Sequence, residues 1–388
     1  MTSLHYRRYF LLLLLSTVSA FPAGVPAFRQ VVVSSGLKMG YQLVTVDLNN
    51  DGRKDLIVID ERSTELAWFE NPGWQRHVLA VNVPRAINLD CWDYDGDGVP
   101  EIAMAHNFET NPEKSIGNVL ILKAGPDIRA PWNVREIDRI PTAHRLRWID
   151  PRGDGRKLLL VAPLVGPAAR PPDYAGNTPI YAYRPGDWKR QLITNSPRGI
   201  LHSIAPVEWG GRGQRLFTAS FSGLELFSPD SSGRWTGALM APGDPRPCPE
   251  CGSSEVKTGR LGRRRFIAAI EPWHGNQVVV YLESGKKWTR LVLDDAMVNG
   301  HALAVGDLDG DGRDEIVSGF RGKGFRLSVF QAEDRQGKRW RRAVIDPDGI
   351  AAADCKIADF DNDGKADIAC SGASTGNVKL YLNLGPSR

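Results

Sequence analysis

The chain has 388 residues, of which 42% are hydrophobic and 24% are charged, a composition typical of a globular protein. Its formal net charge of +4 is too small to indicate a nucleic-acid partner. The 40 glycines and 26 prolines predict many turns and favour an all-β body. This length would suit two or three domains, but a repeat architecture can carry it in a single domain.

The N-terminus has the features of a secretory signal peptide. Arg7 and Arg8 precede an apolar run over residues 9–15, and small residues follow this run. We therefore expect a signal peptide over residues 1–20, a short segment over 21–27, and a secreted or periplasmic mature chain. A signal anchor is the alternative interpretation. The N-terminal apolar run is too short to cross a bilayer and no other segment could cross one, so we expect no membrane span in the mature chain.

A nine-residue motif that occurs four times has the spacing of a calcium loop. Carboxylates two residues apart in a tight turn can converge on one hard cation, and the backbone carbonyl at position 7 adds another oxygen. We therefore expect four structural Ca²⁺ sites. In chain order, positions 1, 3, 5, 7 and 9 are Asp47, Asn49, Asp51, Arg53 and Asp55; Asp93, Asp95, Asp97, Val99 and Glu101; Asp307, Asp309, Asp311, Arg313 and Glu315; and Asp359, Asp361, Asp363, Lys365 and Asp367.

These loops do not have the pattern of EF-hands. An EF-hand has a bidentate Glu at position 12 and a helix on each side. Position 12 here holds Val58, Met104, Ser318 and Cys370. Apolar, β-branched runs such as residues 302–305 flank the loops instead. Each loop is therefore predicted to close a β-hairpin.

A unit of roughly 46 to 58 residues repeats from residue 28 onward. In each unit an apolar strand leads into the loop, two further strands follow, and a fourth begins with an aromatic residue. Seven such units without a helix between them predict a seven-bladed β-propeller over residues 28–388. A Trp that recurs at this position is expected to pack between repeats. The aromatic positions are Phe28, Trp74, Trp132, Trp188, Trp235, Trp288 and Trp340.

The two ends of the repeat array complement each other. Residues 28–33 have the pattern of a fourth strand with no blade before it, and residues 378–384 form a third strand with no fourth after it. Closure of the ring would remove exposed strand edges. We therefore expect the N-terminal strand to complete the last blade.

The loop motifs at residues 307–319 and 359–372, together with the segment 68–73, resemble FG-GAP/VCBS repeats. The resemblance covers nearly all of the chain after the signal peptide. It implies a calcium-bearing β-propeller of the kind found in adhesion proteins and in exported microbial proteins. Residues 300–312 and 376–383 also resemble the propeller part of the aldos-2-ulose dehydratase family, which implies a lyase that dehydrates sugars.

Three units have lost the metal pattern. Arginine replaces oxygen-bearing residues in the segments 150–155, 208–213 and 260–265. Two interpretations stay open at this point. The arginines either form solvated surface turns or create a patch that binds an anion.

Three histidines share one position relative to the loops. Each lies six residues before position 1 of its loop, at the predicted start of the innermost strand. The loops between the second and third strands of each unit should meet on the same face, opposite the calcium loops. With the polar residues of the fifth unit, the candidate site residues are His144, His202, Glu255, Glu271, His274 and His301.

These residues permit three roles. They can hydrogen-bond between blades, bind a polar small molecule or glycan, or hold a transition metal through His144, His202 and His301. We expect an exported calcium-binding propeller that binds a carbohydrate-like ligand. One alternative is a carbon–oxygen lyase or isomerase, in which His301 or His274 removes a proton next to a carbonyl and Glu271 or Glu255 is the acid that assists departure of hydroxide. The other is an adhesion scaffold with a protein partner.

The chain has five cysteines. Cys248 and Cys251 are separated by two residues, and we expect a local disulfide or no functional role, with metal binding as the alternative. Cys91, Cys355 and Cys370 lie in strand-like runs and are expected to be buried as small apolar residues.

Overall fold

The computed structural model describes residues 24–285 and 287–386, which form 28 β-strands and no helix. None of the described residues forms a helix that could cross a membrane. The predicted signal peptide over residues 1–20 lies outside the described residues.

The strands form seven four-stranded antiparallel sheets, which are the blades of a propeller. Blade 7 combines β1 (Pro26–Ser34) with β26 (Ala352–Ala358), β27 (Asp367–Gly372) and β28 (Val378–Pro386). Blades 1 and 2 contain β2 (Gly40–Val46), β3 (Asp55–Asp60), β4 (Glu65–Glu70), β5 (Gln75–Val81), β6 (Asn88–Trp92), β7 (Glu101–His106), β8 (Asn118–Lys123) and β9 (Asn133–Arg139). Blades 3 and 4 contain β10 (Ala143–Ile149), β11 (Leu158–Pro163), β12 (Ile180–Tyr183), β13 (Gln191–Thr194), β14 (Leu201–Val207), β15 (Arg215–Ser220), β16 (Gly223–Pro229) and β17 (Trp235–Ala241). Blades 5 and 6 contain β18 (Glu255–Leu261), β19 (Arg264–Glu271), β20 (Gln277–Ser284), β21 (Lys287–Asp294), β22 (Gly300–Gly306), β23 (Glu315–Phe320), β24 (Leu327–Ala332) and β25 (Trp340–Asp346).

The first strand along the chain in blades 1 to 6, together with β26 of blade 7, forms an inner ring. Each inner strand contacts the inner strands of the two neighbouring blades, and β26 contacts β2, so the ring is closed. The second strands, such as β3 and β23, are buried along their whole length because neighbouring blades cover both faces. The outermost strands, such as β9, are mostly exposed.

The N-terminal strand closes the ring. β1 pairs antiparallel with β28, with Phe28 opposite Asn383 and Val31 opposite Leu380. This confirms the predicted seven-bladed propeller closed by its N-terminal strand. The strand begins at Pro26, two residues before the predicted start.

Aromatic residues at the fourth strands contact the preceding blade. The ring centroids of Trp74 and Phe360 lie 6.4 Å apart, and those of Trp340 and Phe266 lie 5.5 Å apart. Both pairs join adjacent blades edge to face, an arrangement that aromatic rings favour.

The cysteines differ from the sequence prediction at one pair. Cys355 and Cys370 are not separate apolar residues but form a disulfide, because β26 and β27 place them directly opposite each other with their Cα atoms 4.2 Å apart. Cys248 and Cys251 form the expected local disulfide. Cys91 is a free cysteine.

Candidate functional site

An irregularity near the start of the inner strands sets the direction of the histidine side chains. In β10, β14 and β22 the strand pairing skips one residue, and the skipped residues are His144, His202 and His301. Such a bulge turns a side chain away from its regular alternation. The three histidines, from three different blades, converge at the axis: the His144 and His202 ring centroids lie 4.9 Å apart, and those of His202 and His301 lie 5.1 Å apart.

Tyr41 occupies the same position in blade 1, six residues before Asp47. Its hydroxyl lies 3.3 Å from His144 Nε2 and 3.2 Å from His301 Nε2, so it joins two histidines across the channel. Tyr41 is not among the site residues predicted from the sequence, because that prediction rests on the histidines of this register alone. The shared offset from the loop was the signal that could have identified it.

His274 joins this cluster from the turn between β19 and β20. Its Nε2 atom lies 3.2 Å from His202 Nε2, and the Trp273 ring stacks on it at 4.7 Å between centroids. One ring nitrogen from each of His202, His274 and His301 lies within 4.8 Å of the other two. The structure therefore groups His274, rather than His144, with the other two histidines as a set that could hold a transition metal.

The outer nitrogens of this set have partners of the kind that orient metal-binding histidines. His202 Nδ1 lies 3.1 Å from a Glu255 carboxylate oxygen, and His301 Nδ1 donates to the carbonyl oxygen of Ala353. With Nδ1 protonated in both rings, the Nε2 atoms are acceptors, and they face the Tyr41 hydroxyl and His274 Nε2 at 3.2 Å.

A buried ion pair supports the cluster. Arg145 Nη2 donates to Glu255 at 2.9 Å, and the Arg145 and Glu255 side chains are only 4% and 11% exposed. Burial opposes ionisation of Glu255, but the Arg145 and His202 side chains together lower the pKa of this carboxyl well below its usual range. Glu255 is therefore a carboxylate at neutral pH.

The histidines are neutral at physiological pH. Burial, followed by the charge of Arg145, lowers the pKa of His202 to about 4. Burial and neighbouring cations also lower the pKa values of His144, His274 and His301 well below the usual value. Neutral imidazoles can accept a proton or bind a polar group through a lone pair.

A cavity of about 330 Å³ opens beside this cluster. Three buried polar atoms around it have no hydrogen-bond partner among the described residues: His144 Nδ1, Trp273 Nε1 and Arg321 Nε. The side chains that give the cavity its chemistry are Tyr41, Glu61, His144, His202, Trp273, His274 and Arg321. Burial raises the pKa of Glu61 above its usual value.

Glu271 does not line this cavity. Its carboxylate is fully buried within blade 5, where it accepts from the Tyr281 hydroxyl at 2.6 Å, from Ser253 Oγ at 2.9 Å and from Arg290 Nε at 2.9 Å. Glu271 ends β19, and the chain turns toward the channel only at the following residues. Its partners give it a structural role, and the structure does not bring it to the histidines.

The four predicted calcium loops lie at the other end of the inner strands. β22, for example, has seven residues between the histidine end and its loop, a separation of about 20 Å at about 3.3 Å per residue. The Asp at position 1 accepts backbone N–H groups of its own loop, as Asp307 does from Gly310 at 2.8 Å and from Gly312 at 2.9 Å.

The carboxylates at position 9 suit a cation. Asp55, Glu101, Glu315 and Asp367 are at most 1% exposed. Burial raises the pKa of Asp55 and Asp367 to about 6, and that of Glu315 to about 8. A divalent cation would favour the charged form of these groups. In the loops that begin at Asp93, Asp307 and Asp359, three carboxylates each place one oxygen within 4.8 Å of the others, as a Ca²⁺ site would need.

The second loop contains a cation of its own. Lys123 Nζ contacts Asp95, and it donates to Asp97 at 2.7 Å and to Glu101 at 2.8 Å. Lys123 lies on β8 beside position 9. The ammonium group contacts three of the carboxylates that would bind Ca²⁺, whereas in the third and fourth loops Arg313 and Lys365 each pair with one carboxylate, Asp311 and Asp363. The second loop is therefore the one most obstructed by a cation.

Comparisons with known proteins agree with this architecture. Residues 47–104 match the family model of the FG-GAP-like repeat. Aldos-2-ulose dehydratase of Phanerodontia chrysosporium is 24% identical over an alignment of 405 residues, which covers 90% of this chain and 44% of that protein. The chain therefore spans less than half the length of this curated relative.

Solved structures show the same fold at low sequence identity. BBS1N in complex with ARL6DN has a TM-score of 0.58 at 14% identity, covering 92% of this chain and 96% of that chain. Saccharomyces cerevisiae Sqt1 has a TM-score of 0.55 at 13% identity, covering 85% and 81%. The extracellular domain of the putative one component system BT4673 from B. thetaiotaomicron has a TM-score of 0.55 at 14% identity, covering 91% and 39%. The chain is thus a seven-bladed β-propeller that contains an FG-GAP-like repeat and is distantly similar to aldos-2-ulose dehydratase.

Proposed function

We propose that this protein is an exported, calcium-binding β-propeller that binds a carbohydrate-like or other polar small molecule in the histidine-lined cavity. The observation that carries the proposal is the group of polar side chains that line that cavity, among them Tyr41, His274 and Arg321. A hydroxyl-rich ring could pair with these side chains while one of its faces packs on Trp273. The volume lies in the usual range of small-molecule pockets, about 300–1,000 Å³.

Binding is expected to weaken when His274 is removed. Loss of its hydrogen bonds and of its stacking on Trp273 should reduce affinity by about 1–3 kcal/mol, or roughly 5- to 150-fold. Isothermal titration of purified protein against a panel of sugars and keto-sugars would measure this for His274→Ala. His77→Ala is the matched control, because His77 lies on the outer strand β5, where it pairs with Glu70. If no sugar binds, or if both variants bind equally well, the cavity is not the binding site.

A second candidate is a lyase, supported by the similarity to aldos-2-ulose dehydratase. His274, neutral and facing the cavity, would remove a proton next to the carbonyl of a keto-sugar. Glu255 cannot serve as the acid at neutral pH because Arg145 keeps it ionised, whereas Glu61 lines the cavity with a raised pKa. Glu61 would therefore protonate the departing hydroxide. Loss of the base should slow turnover by about 100- to 10,000-fold, a result that separates catalysis from binding alone.

Two further roles are weaker. A transition metal on His202, His274 and His301 would appear in elemental analysis of the purified protein. A protein-binding scaffold is the remaining class, since the similar BBS1N propeller was solved in complex with ARL6DN. The concave shape of the cavity and its volume of about 330 Å³ favour a small ligand over a broad protein surface.

Calcium is expected to raise the melting temperature, and to raise it more at pH 8 than at pH 5.5. The raised pKa values of Asp55, Glu315 and Asp367 mean that the calcium-free folded state binds more protons than the unfolded chain. Stability without calcium therefore falls as pH rises between about 4 and 8. Calcium binds the deprotonated groups, and filled sites should add several degrees by mass action. The melting temperature is measured with calcium and with chelator at each pH, and the two values are subtracted. The histidine contributions are the same in both measurements at one pH, so they cancel in the difference.

Lys123→Met extends this experiment to the second loop. Without the ammonium group, Asp95, Asp97 and Glu101 become available to an ion, so the variant should bind one more Ca²⁺ than the wild type. Leu382→Met is the matched control, because it lies at the equivalent position beside Asp367 and carries no charge. Equal melting with and without chelator would contradict calcium binding, and equal stoichiometry in the two variants would contradict the role of Lys123.

A further inference from the structure

A second cavity, of about 500 Å³, lies between blades 3 and 4 at the loop end of the propeller. Two of the hairpin loops that lack the metal pattern form its rim, so it lies at the opposite end from the histidines. Six cationic side chains line it, against only two carboxylates, Asp154 and Asp230. The cations are Arg152, Arg156, Lys157, Arg184, Arg212 and Arg215.

These six cations form no salt bridge with any described residue. Nearby arginines do pair: Arg170 with Glu113, Arg190 with Asp138, and Arg246 with Asp244. The two carboxylates of the cavity already accept other donors. Asp154 accepts the Arg156 backbone N–H, and Asp230 accepts the Ser232 hydroxyl at 2.6 Å. The two carboxylates offset only part of the charge, and the cavity keeps an excess of four positive charges among its lining residues.

Backbone contacts hold the two arginine-bearing loops together. Gln214 N donates to Asp150 O at 2.7 Å, and Asp150 N donates to Gln214 Oε1 at 2.9 Å. Gly213 has a φ of 76°, and a Cβ at this position would lie 2.5 Å from Pro151 O, so only glycine allows this approach. The fold thus brings like charges close together, and a bound anion would reduce the repulsion between them.

Part of the cavity wall is apolar. Leu158, Ala182, Ile193 and Trp235 contribute to it, and Ala182 is fully buried. Guanidinium groups recognise phosphate, sulfate and carboxylate through paired N–H donors. An apolar wall beside such donors favours an anion attached to a carbon body over a bare inorganic ion.

We propose that this cavity, the anion cleft, binds a small organic polyanion that carries at least two phosphate, sulfate or carboxylate groups. The equivalent hairpin loops of blades 1, 2, 6 and 7 are acidic, whereas those of blades 3 and 4 are basic. The loop end of the propeller would therefore bind cations at the acidic loops and an anion at the basic ones. The proposal goes beyond the sugar and calcium sites and depends on neither.

The test uses the mature chain in physiological salt, with inorganic pyrophosphate and sucrose octasulfate as probes. Octasulfate should bind more tightly than pyrophosphate, because it also covers the apolar wall. Arg152→Ala/Arg212→Ala should weaken octasulfate binding at least tenfold. The fold should be retained, since both side chains are exposed. The matched control is Arg29→Ala/Arg335→Ala, which removes the same charge from exposed positions outside the cleft.

Three results would overturn the proposal. The first is an equal loss of affinity in the cleft and control variants, which would show that only net charge matters. The second is wild-type affinity in the cleft variant. The third is binding of long heparin or of vesicles containing phosphatidylserine without binding of either small probe, which would identify a macromolecular or membrane partner. Unchanged octasulfate binding in His274→Ala would show that the cleft is separate from the histidine-lined cavity.

Discussion

Removal of β1 is expected to turn the protein into an aggregating species. The strand supplies the fourth strand of blade 7, and Phe28, 2% exposed, packs into the core there. Loss of the Phe28 side chain alone would destabilise the folded protein by about 3–5 kcal/mol. A chain that begins at residue 35 lacks the whole strand. It also leaves β28 as an unpaired edge, to which other chains can add.

Size-exclusion chromatography with light scattering would measure this outcome. A peptide of residues 24–35 added during refolding offers a sharp control, because it can pair with β28 in place of the missing strand. We expect it to restore monomers, whereas a scrambled peptide of the same composition should not. A truncated protein that stays monomeric and melts like the full chain would show that ring closure by β1 is unnecessary.

The fold was predictable because its pattern repeats. An aromatic residue at one position of each unit and an apolar run before each loop indicate the number of strands and blades. The unmatched strand patterns at residues 28–33 and 378–384 then indicated closure. β1 begins two residues earlier than predicted, at Pro26, because strand pairing with β28, rather than local sequence, sets where the strand begins.

The candidate site was only partly predictable. The offset of six residues from the loop identified three histidines in the sequence. Tyr41 has the same offset but was not predicted as a site residue. The direction of Glu271 depends on partners from two other strands, and the Cys355–Cys370 disulfide depends on cross-strand register. Lys123 acts on a loop 22 residues away from it in sequence, at Glu101. Such contacts arise from tertiary packing and leave no local pattern in the sequence.

Glu255→Gln is expected to destabilise the protein by about 3–5 kcal/mol, because it leaves the Arg145 charge buried without its carboxylate partner. Arg145 is 4% exposed, and the other groups within hydrogen-bond reach of its guanidinium include His144 and His202, which carry no compensating charge. The shift in the urea midpoint would measure the change. Glu65→Gln is the matched control: its pair with Arg76 is exposed at the surface, where such pairs contribute about 0.2–1 kcal/mol.

A double variant distinguishes loss of charge balance from loss of packing. If the cost comes from the unpaired guanidinium, Arg145→Met/Glu255→Gln should recover most of the stability lost in Glu255→Gln, because no buried charge remains. Equal midpoints for Glu255→Gln and Glu65→Gln would show that the buried pair is not needed for folding. Sugar binding by the double variant would then test the second role of Glu255. His202 Nδ1 loses its carboxylate partner in this protein, so a stable double variant with weakened binding would show that the pair also holds His202 in its binding orientation.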